Sequence, residues 1–235
     1  MFMQKIDYQD DDVTLEGYYA YDEKSDHKRP VVLVCHDWSG KNEFACNKAN
    51  KLAELGYIGF AIDMFGKGKL GKTKEEKSAL INPLVNNRKM LLNRIMAGFE
   101  AAKTLPVADT NKMGAIGFCF GGLCVLDLAR GGANLKGVVS FHGLLNPPET
   151  TAKTIHAKVL ALHGYDDPMV PPQAVMSFAK EMTNAHVDWQ LDMYGHTMHA
   201  FTNPEANDAA FGTVYNQKAD SRSWIAMTTF FKEVL

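Results

Sequence analysis

Three short segments of the chain carry side chains able to act on an acyl group. The first, Gly117-Phe118-Cys119-Phe120-Gly121-Gly122, sets a thiol among glycines in the pattern small-x-nucleophile-x-small. That pattern marks a nucleophile on a tight turn from a strand into a helix. Glycines are needed because the turn is strained, and a side chain at Gly117 or Gly121 would strike neighbouring backbone. At the first turn of a helix, unpaired N–H groups and the positive end of the dipole favour thiolate over thiol. Cys119 is therefore the expected reactive thiol. Cys35, Cys46 and Cys124 read as packed thiols, since four irregularly spaced cysteines make neither a disulfide framework nor a zinc site.

The second segment, His163-Gly164-Tyr165-Asp166-Asp167-Pro168, offers an acid just past a strand end. The third, Gly195-His196-Thr197-Met198-His199-Ala200-Phe201, offers a base after the last strand. The order nucleophile, acid, histidine is that of α/β-hydrolases. With Asp167 and His199 in these roles, the imidazole takes the thiol proton and serves the leaving group, while the carboxylate fixes the tautomer. On the residues alone, Asp166 and His196 stay open as rivals.

Such a site needs strands to carry it. Apolar, β-rich runs at Val31–Cys35, Tyr57–Ile62, Met113–Gly117, Val138–Phe141, Val159–Leu162 and Val187–Met193 alternate with helical stretches, which predicts β-α units and a parallel sheet. Met3–Tyr8 and Thr14–Tyr21, turning through Asp10–Asp12, predict an antiparallel hairpin ahead of it. The nucleophile turn opens a helix over Leu123–Ala129. Another helix carries an apolar stripe of Leu92, Ile95, Met96 and Phe99, closed by Pro106. With no linker or repeat, residues 1–235 read as a single domain.

Composition narrows the partners. Hydrophobic residues make up 46% of the 235-residue chain and the formal charge is −2, so no basic face for nucleic acid or an anionic membrane is expected. Neither a signal or transit pattern nor a run of about 18 apolar residues is seen, which gives the expectation of a cytoplasmic protein with no membrane partner. The expected partner is a small molecule, and the expected assembly a monomer or small homo-oligomer.

The glycine-flanked Cys119 turn, Gly164-Tyr165-Asp166-Asp167-Pro168 and His199-Ala200-Phe201 together resemble the dienelactone hydrolase family of α/β-hydrolases. The likeness extends to His36-Asp37-Trp38-Ser39-Gly40 and Asp63-Met64-Phe65-Gly66, and so spans nearly the whole chain. It implies an α/β-hydrolase fold: a mostly parallel sheet of about eight strands with an N-terminal antiparallel hairpin and helices on both faces. It also selects Asp167 as acid and His199 as base, and implies an oxyanion hole from the backbone N–H groups of Phe120 and Trp38. The implied activity is hydrolysis of an ester or lactone, of the carboxymethylenebutenolidase type, through a Cys119 thioester and without a cofactor. An acyl thioesterase or general carboxylesterase is the alternative on the same residues. His36, Asp37, Phe65, Phe118 and Asn203 are the expected activation and pocket residues. Asp37 stands where the family's founding type has a glutamate, and Asn203 where it has an arginine. Strict dienelactone specificity is therefore not expected.

One competing signal is Gly66-Lys67-Gly68-Lys69-Leu70-Gly71-Lys72-Thr73, a literal match to the phosphate-loop pattern GxxxxGK[ST]. A nucleotide-binding protein would hold phosphates on that loop's N–H groups and Lys72, and magnesium on Thr73. The pattern is short and rich in lysine and glycine, and a turn is expected there in any case. His36, His142 and His163 fall near strand ends but lack a carboxylate at ligand spacing, so no metal is expected.

Overall fold

The computed structural model describes residues 1–24, 27–149 and 154–235. Among the described residues, ten strands and six helices follow one another: β1 (Phe2–Asp10), β2 (Val13–Tyr21), β3 (Arg29–Cys35), α1 (Glu43–Glu54), β4 (Ile58–Ile62), α2 (Lys74–Val85), α3 (Arg88–Lys103), β5 (Ala108–Phe118), α4 (Phe120–Arg130), β6 (Gly137–Phe141), β7 (Lys158–Gly164), α5 (Pro172–Asn184), β8 (Trp189–Tyr194), β9 (Asn207–Asp208), β10 (Thr213–Val214) and α6 (Gln217–Val234). The large sheet has eight strands in the order β1-β2-β4-β3-β5-β6-β7-β8, and β9 and β10 form a separate pair. By Cα proximity the chain divides into two compact units, Met1–Ile116 and Gly117–Leu235.

In the first unit, β1 pairs antiparallel with β2 in unbroken register from Phe2↔Tyr21 to Asp10↔Val13. Asp11 turns that hairpin at φ 51, a left-handed conformation that aspartate tolerates better than most residues. β2 then pairs antiparallel with β4, and β3 pairs parallel with β4. Gly59 of β4 lies against α1, where a Cβ would meet Ala49 O at 2.2 Å. Gly98 of α3 packs on Ile62, whose Cγ2 would be 2.8 Å from an added Cβ. Residues 59 and 62 point to opposite faces of a strand, so α1 and α3 cover both sides of β4. A strand buried on both faces needs apolar side chains throughout, and all five residues of β4 are buried.

The second unit repeats the device. β6, β7 and β8 pair in parallel. A Cβ on Gly122 of α4 would strike Ser140 Oγ, and one on Gly137 would strike Phe230 of α6; residues 137 and 140 again face opposite ways. Phe141, Phe178, Phe201 and Phe231 are fully buried, each worth about 1.5–3 kcal/mol of transfer free energy.

The apolar stripe of α3 is rotated by about one residue from its expected position. Leu91, Ile95, Gly98, Phe99 and Ala102 are buried together with Arg94, while Leu92 and Met96 are half-buried. The cause is Arg94, whose Nε donates to Asp10 Oδ2 at 2.5 Å and whose Nη1 donates to Met64 O at 3.1 Å. A guanidinium so paired can occupy an inward position that the apolar spacing alone assigns to a neighbour.

Candidate active site

Cys119 stands between β5 and α4 at φ 55, ψ −116, a strained conformation for any residue with a side chain. The turn closes so tightly that a Cβ on Gly117 would lie 2.0 Å from Gly121 O and 2.3 Å from Gly121 C. The Cys119 N–H is shared between Phe141 O at 3.0 Å and His142 Nδ1 at 3.2 Å. Gly122 N–H donates to Cys119 O at 2.9 Å and begins the helix. Cys119 is half-buried, whereas Cys35 and Cys124 are fully covered.

Asp167 sits on a turn after β7, its N–H donating to Gly164 O at 3.1 Å. Its Oδ1 accepts the Met169 N–H at 2.8 Å, and its Oδ2 accepts from His199 Nδ1 at 2.7 Å. The side chains of His199 and Asp167 are 1% and 0% exposed. By contrast, those of His196 and Asp166 are 104% and 42% exposed and 4.0 Å apart. The backbone of His199 is fixed from downstream: its N–H donates to Gly212 O at 3.0 Å and its O accepts from Val214 N–H at 3.1 Å. β9 and β10 thus serve as a clasp on the histidine.

Burial opposes charge on the His199 ring. It is outweighed by the charge of Cys119, the hydrogen bond to Asp167, a side-chain interaction with Cys119 and the charge of Asp167, which together push the imidazolium up to about 10. Yet Nε2 makes no hydrogen bond of good geometry among the described residues. Cys119 is thus within electrostatic reach of His199 without a closed hydrogen bond, a looseness common where substrate is absent. Behind the pair, burial lowers the pKa of His163, with Asp167 opposing and His199 reinforcing that effect.

The remaining expected site residues divide between packing and loop support. Phe118 is fully buried and stacks on Phe141 with centroids 4.7 Å apart, so it packs as core. Asn203 is half-buried and its Oδ1 accepts the Glu205 N–H at 3.0 Å, which supports a turn. In the first unit, His36 is fully buried and staples two loops. Its Nε2 accepts from Met64 N–H at 3.2 Å, which leaves Nδ1 to donate to Asp37 O at 2.6 Å. Burial lowers its pKa against the opposing pull of the Asp37 carbonyl and of Asp63 and Asp37. Asp37 Oδ1 accepts the Ser39 N–H at 2.8 Å. Phe65 meets the His36 ring edge-on at 4.7 Å, and Lys77 Nζ lies 5.4 Å over the Trp38 ring.

The phosphate-loop match is spent on local structure. Lys67, Lys69 and Gly71 N–H groups donate to Thr14, Gly66 and Ser39 carbonyls. Those of Lys72 and Thr73 go to the Glu76 carboxylate, completing a capping box for α2. A loop whose donors already hold a carboxylate is not a phosphate cradle, and Thr73-Lys74-Glu75-Glu76 was the sequence signal for this outcome. Among the described residues, no cluster of three or more His, Cys, Asp or Glu could hold a metal ion. No described helix is long and apolar enough to cross a membrane.

The mostly parallel eight-stranded sheet, the glycine-bound turn at Cys119 and the downstream acid–imidazole pair define an α/β-hydrolase fold. The model of the dienelactone hydrolase family matches residues 15–235. The chain belongs to that family and is a hydrolase. It is 36% identical to a dienelactone hydrolase-like promiscuous phosphotriesterase from metagenomic libraries, with a TM-score of 0.96 covering 99% of this chain and 98% of the other. It is 27% identical over 237 residues, 99% of each chain, to an Aquifex aeolicus protein provisionally named a carboxymethylenebutenolidase. An uncharacterized Caenorhabditis elegans protein is 39% identical over 144 residues, 60% of this chain and 91% of that one.

Proposed function

We propose that the chain hydrolyses carboxylic esters or lactones through Cys119, with His199 as base and Asp167 as its orienting acid. The observation that carries this reading is the fully buried His199–Asp167 hydrogen bond at 2.7 Å, on an imidazole whose charge state is coupled to Cys119.

The thiolate attacks the acyl carbon, forming the S–C bond and moving the carbonyl electron pair onto oxygen. The backbone N–H of Phe120, at the start of α4, is proposed as a donor to that oxyanion, with that of Trp38 the second donor implied by the family resemblance. As the C–O bond breaks, the leaving alkoxide takes the proton held on His199 Nε2. His199 then draws a proton from water, hydroxide attacks the thioester, the C–S bond breaks to restore the thiolate–imidazolium pair, and the carboxylic acid product leaves and gives its proton to solvent. No cofactor enters this scheme.

The substrate is a small ester or lactone, with acyl thioesters as the alternative class. A screen of lactones, aryl esters and acyl thioesters with wild type and Cys119→Ala tests this. Turnover that disappears in Cys119→Ala, with an acyl adduct on Cys119 by mass spectrometry, is the expected result. Undiminished turnover in Cys119→Ala refutes the nucleophile. The likeness to a promiscuous phosphotriesterase favours a second substrate class, phosphotriesters, in which the same thiolate attacks phosphorus, the P–O bond to the leaving alcohol breaks with the His199 proton going to that oxygen, and water then cleaves the S–P bond; paraoxon belongs in the same screen.

A further inference from the structure

We propose that His142 is a positioning residue, holding the backbone of Cys119 and the loop bearing His199 in one frame. The inference rests on the catalytic roles proposed for Cys119 and His199.

His142 follows β6, is 2% exposed and has φ 40. Non-glycine residues are strained there, although Gly143 is the very next residue. A buried histidine kept in a conformation that suits glycine points to a task for its ring.

The ring joins two parts of the site. Nδ1 accepts the Cys119 N–H at 3.2 Å. A backbone N–H can only donate, so Nδ1 is bare and the proton lies on Nε2. That N–H donates to Thr202 Oγ1 at 2.8 Å, three residues past His199. The same ring packs edge-to-face on His199, with centroids 5.2 Å apart, and on Phe201 at 5.0 Å. The backbone N–H of His142 donates to Leu162 O at 2.8 Å, which ties the frame to β7.

One neutral imidazole therefore spans the strained turn that aims the thiol and the loop that aims the base. The separation of Cys119 and His199 depends on both. Misplacement of reacting groups by about 1 Å costs on the order of a hundredfold in rate.

Three variants test the assignment, each checked by circular dichroism and thermal melting. His142→Gly removes the ring and relieves the backbone. His142→Asn tolerates the left-handed conformation and offers Oδ1 to the Cys119 N–H, but is too short to reach Thr202. Thr202→Val removes the other partner. On an aryl ester, His142→Gly is expected to lower kcat by about ten- to a hundredfold with KM within about twofold, and to slow alkylation of Cys119 by iodoacetamide. His142→Asn recovers most of that loss. Thr202→Val lowers kcat by about threefold or more in wild type but adds nothing in a His142→Asn background, the signature of a coupled pair.

A folded His142→Gly with kcat within about twofold of wild type overturns the proposal. So does a Thr202→Val effect that is undiminished in His142→Asn, and that arm decides the matter if His142→Gly does not fold. An inactive wild type would refute the hydrolase chemistry alone, because the alkylation rates still report on the frame.

Discussion

Replacing Asp167 by asparagine changes a charge and a donor while keeping the shape, and the surroundings dictate the consequence. Oδ1 of Asp167 is held by the Met169 N–H at 2.8 Å and Oδ2 by His199 Nδ1 at 2.7 Å. The asparagine carbonyl must stay on Met169, because the flipped amide would set two donors against each other in a buried site, at about 1–3 kcal/mol. Its NH2 group therefore faces Nδ1, which must become the acceptor. The ring proton moves to Nε2, the nitrogen that has to be bare to act as base. Loss of a general base costs about 10²–10⁴ in rate, or about 3–5 kcal/mol at about 1.36 kcal/mol per decade. Steady-state hydrolysis of an aryl ester measures it, with Asp166→Asn as the exposed control. A folded Asp167→Asn enzyme keeping kcat/KM within about tenfold of wild type would refute the argument, since the tautomer would then not depend on this carboxylate.

His196→Gln should change kcat by less than about threefold, because that side chain is 104% exposed; inactivation would transfer the base role to it. Gly117→Ala places a methyl 2.0 Å from Gly121 O, and the melting temperature should fall by the equivalent of about 1–3 kcal/mol or more of overpacking; an unchanged melt would mean that the turn can open. Stability should also respond to alkaline pH. The folded protein holds the His199 proton up to about 10 and the unfolded chain only to 6.5, so the folded state binds more protons in that window. The contribution is complete below 6.5 and is lost as pH rises through about 10. Thermal melts across this range should show the fall, less steeply in Cys119→Ala, which lacks the leading cause of the upward shift; parallel profiles would count against the coupling.

Much of the frame was legible because it derives from local chemistry. A tight turn between strand and helix needs glycines on both sides of Cys119, and buried strands need unbroken apolar runs, so β3 to β8 could be read within a few residues. Asp167 and His199 fell in short segments after strands, each beside one rival, Asp166 and His196, and only the family resemblance chose between them. Other features left no trace in the pattern. β9 and β10 have two residues each, too few to carry a period, yet they hold the backbone of His199. His142 belongs to no motif, and its partners Cys119 and Thr202 are 23 and 60 residues away. The rotation of α3 arose from an ion pair with a residue 84 positions distant. The packing of Phe118 against Phe141 likewise depends on a neighbouring strand.

The anchoring of His199 from downstream bears on how this enzyme can diverge. Gly212, at φ 82, is pressed so closely on Pro168 that an added Cβ would lie 2.1 Å from its ring. The segment after the imidazole is thereby locked to the turn that carries the acid. Residues 203–211 form an excursion whose far end is already pinned, and 204, 205, 207, 209, 210 and 211 are exposed. Evolution can rewrite the exposed residues on either side of β9 without disturbing the acid–imidazole bond, whereas β9 and the Gly212–Val214 stub, which pair to hold the histidine, have no such licence. A library of insertions across 203–214, selected for ester hydrolysis, should accumulate survivors on either side of β9 and none within it or in the Gly212–Val214 stub.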